Sequence, residues 1–260
     1  MMPDRETDIR PGTEALSVCV IIPTYNNAKT LREVLDAALR QNLPVIVVND
    51  GSTDETAAIL TDFAGRVEII SYHPNKGKGH ALKNGFDRAE KLGYAYAITM
   101  DSDGQHAATD IARFTEALSR YPDALIIGQR IVEGNMPPKN SFANQFSNFW
   151  FAVQTARRLR DTQNGFRLYP LRAMKGMRPF SSRYEAELEL LVRCRWKGIR
   201  IVSVPTHVYY APEGERVTHF RPGKDFVRIS VLNTILVIAA MLYGYPSMLY
   251  HSLFKRSPKP

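Results

Sequence analysis

A chain of 260 residues with 44% hydrophobic and 23% charged residues carries enough apolar material for one sizeable core, which excludes the disordered and fibrous classes. The formal net charge of +8 is unevenly spread: positions 211–260 hold seven Lys and Arg against three acidic residues, a net +4, beside the most apolar stretch of the chain. That pairing fits a membrane surface better than a nucleic-acid groove, and with no nucleic-acid motif present no nucleic-acid partner is expected.

Residues 1–16 read as a polar tail without the apolar segment of a signal peptide. Val18 to Ile22 is a continuous apolar run closed by Pro23, the pattern of a strand buried on both faces, and Cys19 sits inside it. Cys19 and Cys194 are the only cysteines; they make no disulfide framework and point to a reducing, cytoplasmic setting. The loop Pro23-Thr24-Tyr25-Asn26-Asn27 leads into a helix expected from Ala28 to Arg40. A loop so placed lies at the carboxyl end of a parallel sheet, where open α/β folds bind ligands. Tyr25 and Asn26 are candidates to pack on and hydrogen-bond a nucleobase, with helix capping as the plainer alternative.

A second buried run, Val45 to Val48, ends in Asn49-Asp50-Gly51-Ser52-Thr53-Asp54. Asp50 is a candidate acceptor for a base N–H, and Thr53 or Asp54 caps a helix over Glu55 to Phe63. The third strand, Val67 to Ser71, precedes Asn75-Lys76-Gly77-Lys78-Gly79-His80-Ala81 and a helix to about Leu92. Glycines allow close backbone approach, while the helix N-terminus and Lys78 favour an anion; G-x-x-x-x-G-K-[ST] is absent, so this is not a P-loop.

The fourth strand, Tyr94 to Met100, stops at Asp101-Ser102-Asp103-Gly104-Gln105-His106. Strand alternation puts side chains i and i+2 on one face, so Asp101 and Asp103 are expected to converge past the sheet edge. Two convergent carboxylates call for a cation. Mg²⁺ or Mn²⁺ suits all-oxygen ligation by one or two carboxylates plus substrate phosphates, and Gln105 falls on the same parity. An Asx-rich turn with no ligand is the alternative for this motif taken alone. A helix from Thr109 to Tyr121 and a strand from Ala124 to Gly128 follow, so strands alternate with helices in a doubly wound, mostly parallel sheet flanked by helices.

Taken together, Pro23-Thr24-Tyr25-Asn26, Val48 to Asp54, Asn75 to Ala81 and Asp101 to Gln105 resemble the motifs of family 2 glycosyltransferases of the GT-A (Rossmann-like) fold, over roughly Ser17 to Tyr210. Within that family, Gly128-Gln129-Arg130 and Asp161-Thr162-Gln163-Asn164-Gly165-Phe166-Arg167 are similar to stretches of the dolichol- and polyprenyl-phosphate mannosyl- and glucosyltransferases. Asn27, Asn49 and Asn164 stand where such enzymes often carry Glu, Asp and Cys. The resemblance implies an inverting, metal-dependent transfer of a hexose from a UDP- or GDP-sugar. It places Pro23, Tyr25, Asn26, Asp50, Lys78 and Asp101 near the nucleotide sugar, and Asp101, Asp103 and Gln105 at the metal.

On the acceptor side, Arg130, Lys139, Gln163 and Arg167 are candidates to hold a phosphate, because an arginine fork matches a pair of phosphate oxygens. A lipid phosphate is already an anion and needs no general base. A hydroxyl acceptor would need one, and Glu185 and Glu187, on an amphipathic helix expected from Tyr184 to Lys197, are the candidates, against a plain reading as helix-face charges. Asp103, Arg130, Glu185 and Glu187 thus make up the catalytic set. Asn140 to Arg158 is an aromatic-rich helix that either packs in the core or lines an apolar groove, and Ile201 to Val204 and His207 to Tyr210 are expected as late strands.

Residues 211–225, with His219 and Arg221, read as a polar lid able to close on the diphosphate. In the segment 226–260, an apolar helix from Ile229 to Tyr243 spans roughly 22 Å, short of a bilayer core, and Gly244-Tyr245-Pro246 is expected to break it. An in-plane or re-entrant contact at the cytoplasmic face of a membrane is the first expectation, a kinked single span to about Phe254 the second, and a helix buried in a homo-oligomer the third. Transfer to a hydroxyl of a lipid or polysaccharide, a nucleotidyltransferase activity and a non-catalytic anionic-polymer module are the rivals to hexose transfer onto a polyprenyl phosphate.

Overall fold

The computed structural model describes residues 17–131, 138–209 and 222–254, apart from the side chains of 138–142 and 222–226. The expected tail at 1–16 and the lid residues His219 and Arg221 therefore lie outside the described residues, as does the side chain of Lys139. The elements run β1 (Val18–Thr24), α1 (Ala28–Leu39), β2 (Val45–Asp50), α2 (Thr56–Asp62), β3 (Glu68–Tyr72), α3 (Lys78–Lys91) and β4 (Tyr96–Thr99). A 3₁₀ turn (Ala108–Asp110) leads into α4 (Ile111–Arg120), β5 (Leu125–Arg130), α5 (Pro138–Thr155), β6 (Arg167–Pro170), α6 (Glu185–Trp196) and β7 (Ile201–Thr206). A long C-terminal helical segment follows: α7 (Pro222–Ala239), a π-helical turn (Ala240–Gly244) and α8 (Tyr245–Phe254).

The seven strands form one sheet in the order β3-β2-β1-β4-β6-β5-β7, parallel except for β6, which is antiparallel to both β4 and β5. Helices cover both faces, which is why the central strands are apolar without alternation. Val18, Val20 and Ile22 of β1 pack with Leu31 and Leu35 of α1 and Phe114 of α4, whereas Cys19 and Ile21 pack on the opposite face with Leu82 and Phe86 of α3 and Leu190 of α6. Burial pushes both thiols up to about 12, so Cys19 and Cys194 stay protonated as core residues.

Three expectations need correction, and one strand was not expected. That strand, β6, arises where the sequence shows only a motif: four residues opening on Arg167 and closing on Pro170 are too short to display a period. The expected strand from His207 to Tyr210 is absent among the described residues. Instead the His207 backbone N–H and ring Nδ1 meet Asp110 at 2.6 and 3.0 Å, and Val208 makes an isolated bridge to His106. The lid cannot extend to 225, since 222–225 already belong to α7.

The break at Gly244-Tyr245-Pro246 also does not occur. The π turn absorbs the proline and the helix runs on, giving an apolar stretch from Val227 to Phe254 that is long and apolar enough to cross a membrane by length and composition. One stripe of it, with Leu232, Leu236, Ala240 and Met248, is buried against α5 and α6, while Val231, Ile235, Ile238, Leu242, Leu249 and Leu253 are exposed. Gln154 Nε2 donates to Asn233 Oδ1 at 3.0 Å, and a Cβ on Gly244 would lie 2.5 Å from the Trp196 ring. The glycine is what lets the helix lie flat on α6.

Candidate active site

The carboxyl ends of β1, β2 and β4 open onto one edge, and hydrogen bonds between their loops fix it. Asn27 Nδ2 donates to Ser102 Oγ and Thr30 Oγ1 to the Ser102 carbonyl, both at 2.6 Å, so the first turn of α1 holds the turn after β4. That turn is the Asp101-Ser102-Asp103-Gly104 segment. Because β4 ends at Thr99, alternation does not orient the two carboxylates as the sequence suggests. The turn does so instead: the Gln105 N–H donates to Asp103 Oδ1 at 3.0 Å, and Gly104 takes the left-handed φ of +77° that closes it.

Lys78, at the start of α3, reaches this turn. Its Nζ stands 2.6 Å from Asp101 Oδ1 and 2.9 Å from Glu187 Oε2, and His106 Nε2 lies 3.7 Å from Asp101 Oδ2. Burial works against the Lys78 charge, but Asp101 and Glu187 hold the ammonium well above the usual lysine range. Burial likewise opposes ionisation of Asp101, yet Lys78 and His106 keep that carboxyl well below the usual carboxylate range. Asp103 goes the other way, pushed up by burial and by the charge of Asp101. One carboxylate of the pair is therefore neutralised by the protein and the other is not.

The expected nucleotide residues are brought to the same edge, several of them already engaged. Asp50 Oδ2 accepts from Asn75 Nδ2 and the Gly77 N–H at 2.7 Å, and its Oδ1 accepts from the Lys76 N–H at 2.8 Å, so it shapes the loop that presents Lys78. Asn26 adopts a left-handed φ of 49°, and its Oδ1 accepts from the Thr53 N–H at 2.8 Å. Asp54 caps α2 through the Thr56 N–H and also reaches the Ala28 N–H of α1, each at 3.0 Å. Pro23 is buried within β1, and Tyr25 is half-buried just beyond it.

The loop 161–166 ties this edge to a second one. The Thr99 hydroxyl donates to the Gly165 carbonyl at 2.8 Å, and a Cβ at Gly165 would lie 2.8 Å from Asp101 Oδ2 and 3.0 Å from both Glu187 Oε1 and Lys78 Nζ. Gly165→Ala should therefore shift side-chain tips rather than backbone. Sugar transfer is expected to fall on the order of tenfold to a hundredfold, with a melting temperature only a few degrees lower, as parallel activity and thermal melts would show.

Four residues earlier in the same loop, buried Asp161 forms a bidentate pair with Arg130: Nε to Oδ2 at 2.7 Å and Nη2 to Oδ1 at 2.8 Å. Arg130 lines a cavity of about 400 Å³ together with Gln129, Ile131, Asn144, Arg160, Asp161 and Pro205. Arg160 went unnoticed in the sequence because it stands one residue before the motif. Gln163 is exposed and donates from Nε2 to the Ala143 carbonyl at 3.2 Å.

Arg167 is a correction. It is 1% exposed, and its guanidinium donates to the backbone carbonyls of Asn164, Glu187 and Thr162 at 2.8, 2.6 and 2.8 Å, so it braces the protein interior instead of standing open to an acceptor phosphate. The expected amphipathic character of α6 is corrected too, because the helix is buried nearly all round. Glu187 is 7% exposed and ion-paired with Lys78, which argues against its serving as a general base, while Glu185 is half-buried at the first residue of α6. Glu189, missed in the sequence because it looks like another helix charge, is fully buried. It accepts from the Ser181 N–H at 2.8 Å and from Arg193 Nη1 at 2.5 Å.

Among the described residues no group of three or more His, Cys, Asp and Glu side chains converges as a metal site. Two carboxylates plus phosphate oxygens are nevertheless a sufficient donor set for Mg²⁺ or Mn²⁺.

The sequence profile of glycosyl transferase family 2 matches residues 19–178. Glycosyltransferase AglJ of Haloferax volcanii is 30% identical over 213 residues, 80% of this chain and 68% of that protein. Polyprenol monophosphomannose synthase of Mycolicibacterium smegmatis is 30% identical over 214 residues, 76% of this chain and 78% of that protein. Among solved structures, glucosyl-3-phosphoglycerate synthase of Mycobacterium tuberculosis, in complex with Mn²⁺, UDP and phosphoglyceric acid, superposes with a TM-score of 0.63 over 88% of this chain and 78% of that one at 19% identity, a likeness of fold. With its mostly parallel sheet and the motifs at its carboxyl edge, the chain belongs to glycosyl transferase family 2.

Proposed function

We propose that the chain transfers a hexose, with inversion, from a nucleotide diphosphate sugar to the phosphate of a polyprenyl phosphate at the cytoplasmic face of a membrane. The observation that carries this reading is the juxtaposition made by the loop 161–166. At one end Gly165 touches the Lys78–Asp101–Glu187 cluster, and at the other Asp161 orients Arg130 in a cavity. The polyprenyl acceptor named for the mycobacterial relative supports it, as does the exposed apolar face of the C-terminal helix, which offers a surface where a lipid substrate resides.

In this account Asp101, Asp103 and, through its amide or a bound water, Gln105 hold the divalent cation. When bound, that cation supplies Lewis-acid neutralisation of the departing diphosphate. Lys78 adds a second positive charge toward the phosphates, and Tyr25 and Asn26 line the nucleotide side. Arg130, held in plane by Asp161, orients the acceptor phosphate for attack on the anomeric carbon; the C1–O bond to the donor diphosphate breaks as the bond to the acceptor oxygen forms. The acceptor is already ionised, so no side chain has to take its proton. That agrees with Glu187 being tied to Lys78. Lys139, Gln163, His219 and Arg221 complete the proposed acceptor and lid side.

Arg130→Lys keeps a positive charge beside Asp161 and removes the planar fork. It is expected to raise the KM for polyprenyl phosphate about tenfold while leaving the KM for the nucleotide sugar within about twofold. Equal rises in both constants would contradict an acceptor role. Polyprenol offered in place of the phosphate should yield no product.

A further inference from the structure

Lys78 is a cation in a place built to receive one. Its ammonium lies against Asp101, one of the two carboxylates proposed to hold the divalent ion, and on its other side is met by Glu187. Glu187 is buried in α6, and its second oxygen, Oε1, has no hydrogen-bond partner among the described residues. Burying a carboxylate there is costly, and a leucine or alanine would fit the apolar surroundings of that helix better. Among the described residues its carboxylate is ion-paired with Lys78, and the Arg167 guanidinium lies nearby, bonded to the Glu187 carbonyl at 2.6 Å. Gly165 supplies the space in which the ammonium and both carboxylates meet.

We propose that Lys78 and Glu187 form a two-position charge device inside the donor site. In the donor-free chain the ammonium neutralises Asp101. When a divalent cation and a nucleotide diphosphate occupy the site, the ammonium yields Asp101 to the cation and turns to the diphosphate, while Glu187 keeps it beside the site. Glu187 is thus a positioning residue acting through Lys78, not a proton acceptor. The inference rests on the reading of Asp101 and Asp103 as a cation-binding pair and adds how the chain balances that pair's charge.

The test is a titration of the donor-free protein with Mn²⁺, following the electron paramagnetic resonance signal of the free ion, repeated with UDP present. Lys78→Met removes the competing cation and is expected to tighten donor-free Mn²⁺ binding about tenfold; Glu187→Gln removes a negative charge and is expected to weaken it about tenfold. The double variant restores the net charge and should return near the parent value. With UDP, the gain of Lys78→Met should shrink or reverse, because the contact to the diphosphate is lost. A variant that failed to fold would only lose binding, so opposite signs in the two single variants cannot come from misfolding. Parental binding with Lys78→Met no tighter, or with both single variants shifted in the same direction, would overturn this inference alone. No Mn²⁺ binding by the parent even with UDP would overturn the cation site and this inference with it.

Discussion

Asp103→Ala is expected to cut sugar transfer on the order of 10³-fold and to leave the melting temperature unchanged or slightly raised. The first part follows from the loss of one of the two carboxylates proposed to hold a charge-neutralising cation, a contribution of several kcal/mol to the transition state at about 1.4 kcal/mol per tenfold. The second follows from electrostatics. The folded state holds a proton on Asp103 more tightly than the unfolded chain does, because burial and the neighbouring Asp101 raise it. Ionised Asp103 therefore costs stability, and the cost grows as pH rises from the ordinary carboxylate value through the raised one. At neutral pH the alanine relieves it.

Asp101 has the opposite sign. Its lowered carboxyl stabilises the fold above the ordinary carboxylate value, and that contribution fades as pH falls through the folded value. Asp101→Ala should lose activity and stability together, leaving Lys78 with Glu187 alone. Thermal melts of both variants at neutral pH without divalent ions, read beside transfer rates, separate the two. A large drop in melting temperature for Asp103→Ala would contradict this picture of the pair.

Arg167→Met is expected to destabilise the protein by roughly 4 kcal/mol or more, because it strands three buried backbone carbonyls that now accept from one guanidinium. For a chain of this size that corresponds to a fall on the order of 10 °C in melting temperature, or to failure to accumulate folded protein. A calorimetric scan checks it. A variant that melts like the parent but loses acceptor affinity would return Arg167 to the acceptor side.

The strand–helix alternation and the loops at the carboxyl edge were legible in the sequence because buried parallel strands write themselves as continuous apolar runs, as in Val45 to Val48. Asp101, Asp103 and Lys78 were legible for a related reason, since polar residues that interrupt such runs at their carboxyl ends have little structural cause. What could not be read is where a charge has its partner in another element. Arg167 looks like any arginine of a loop until Thr162, Asn164 and Glu187 fold around it, and Glu187 and Glu189 look like helix-surface charges until α6 is seen to be buried on most sides. The π turn at Ala240–Gly244 hid for a different reason: a proline two residues after a glycine reads as a stop, and only the packing of Gly244 on Trp196 shows why the helix continues.

The most direct measurement is transfer of labelled hexose from a panel of UDP- and GDP-sugars to polyprenyl phosphate, with Mn²⁺ or Mg²⁺ and again with the divalent ions chelated. The account predicts labelled lipid from at least one donor, with nucleoside diphosphate released, and no product once the ions are removed. No labelled lipid from any donor, or transfer undiminished by chelation, would contradict it.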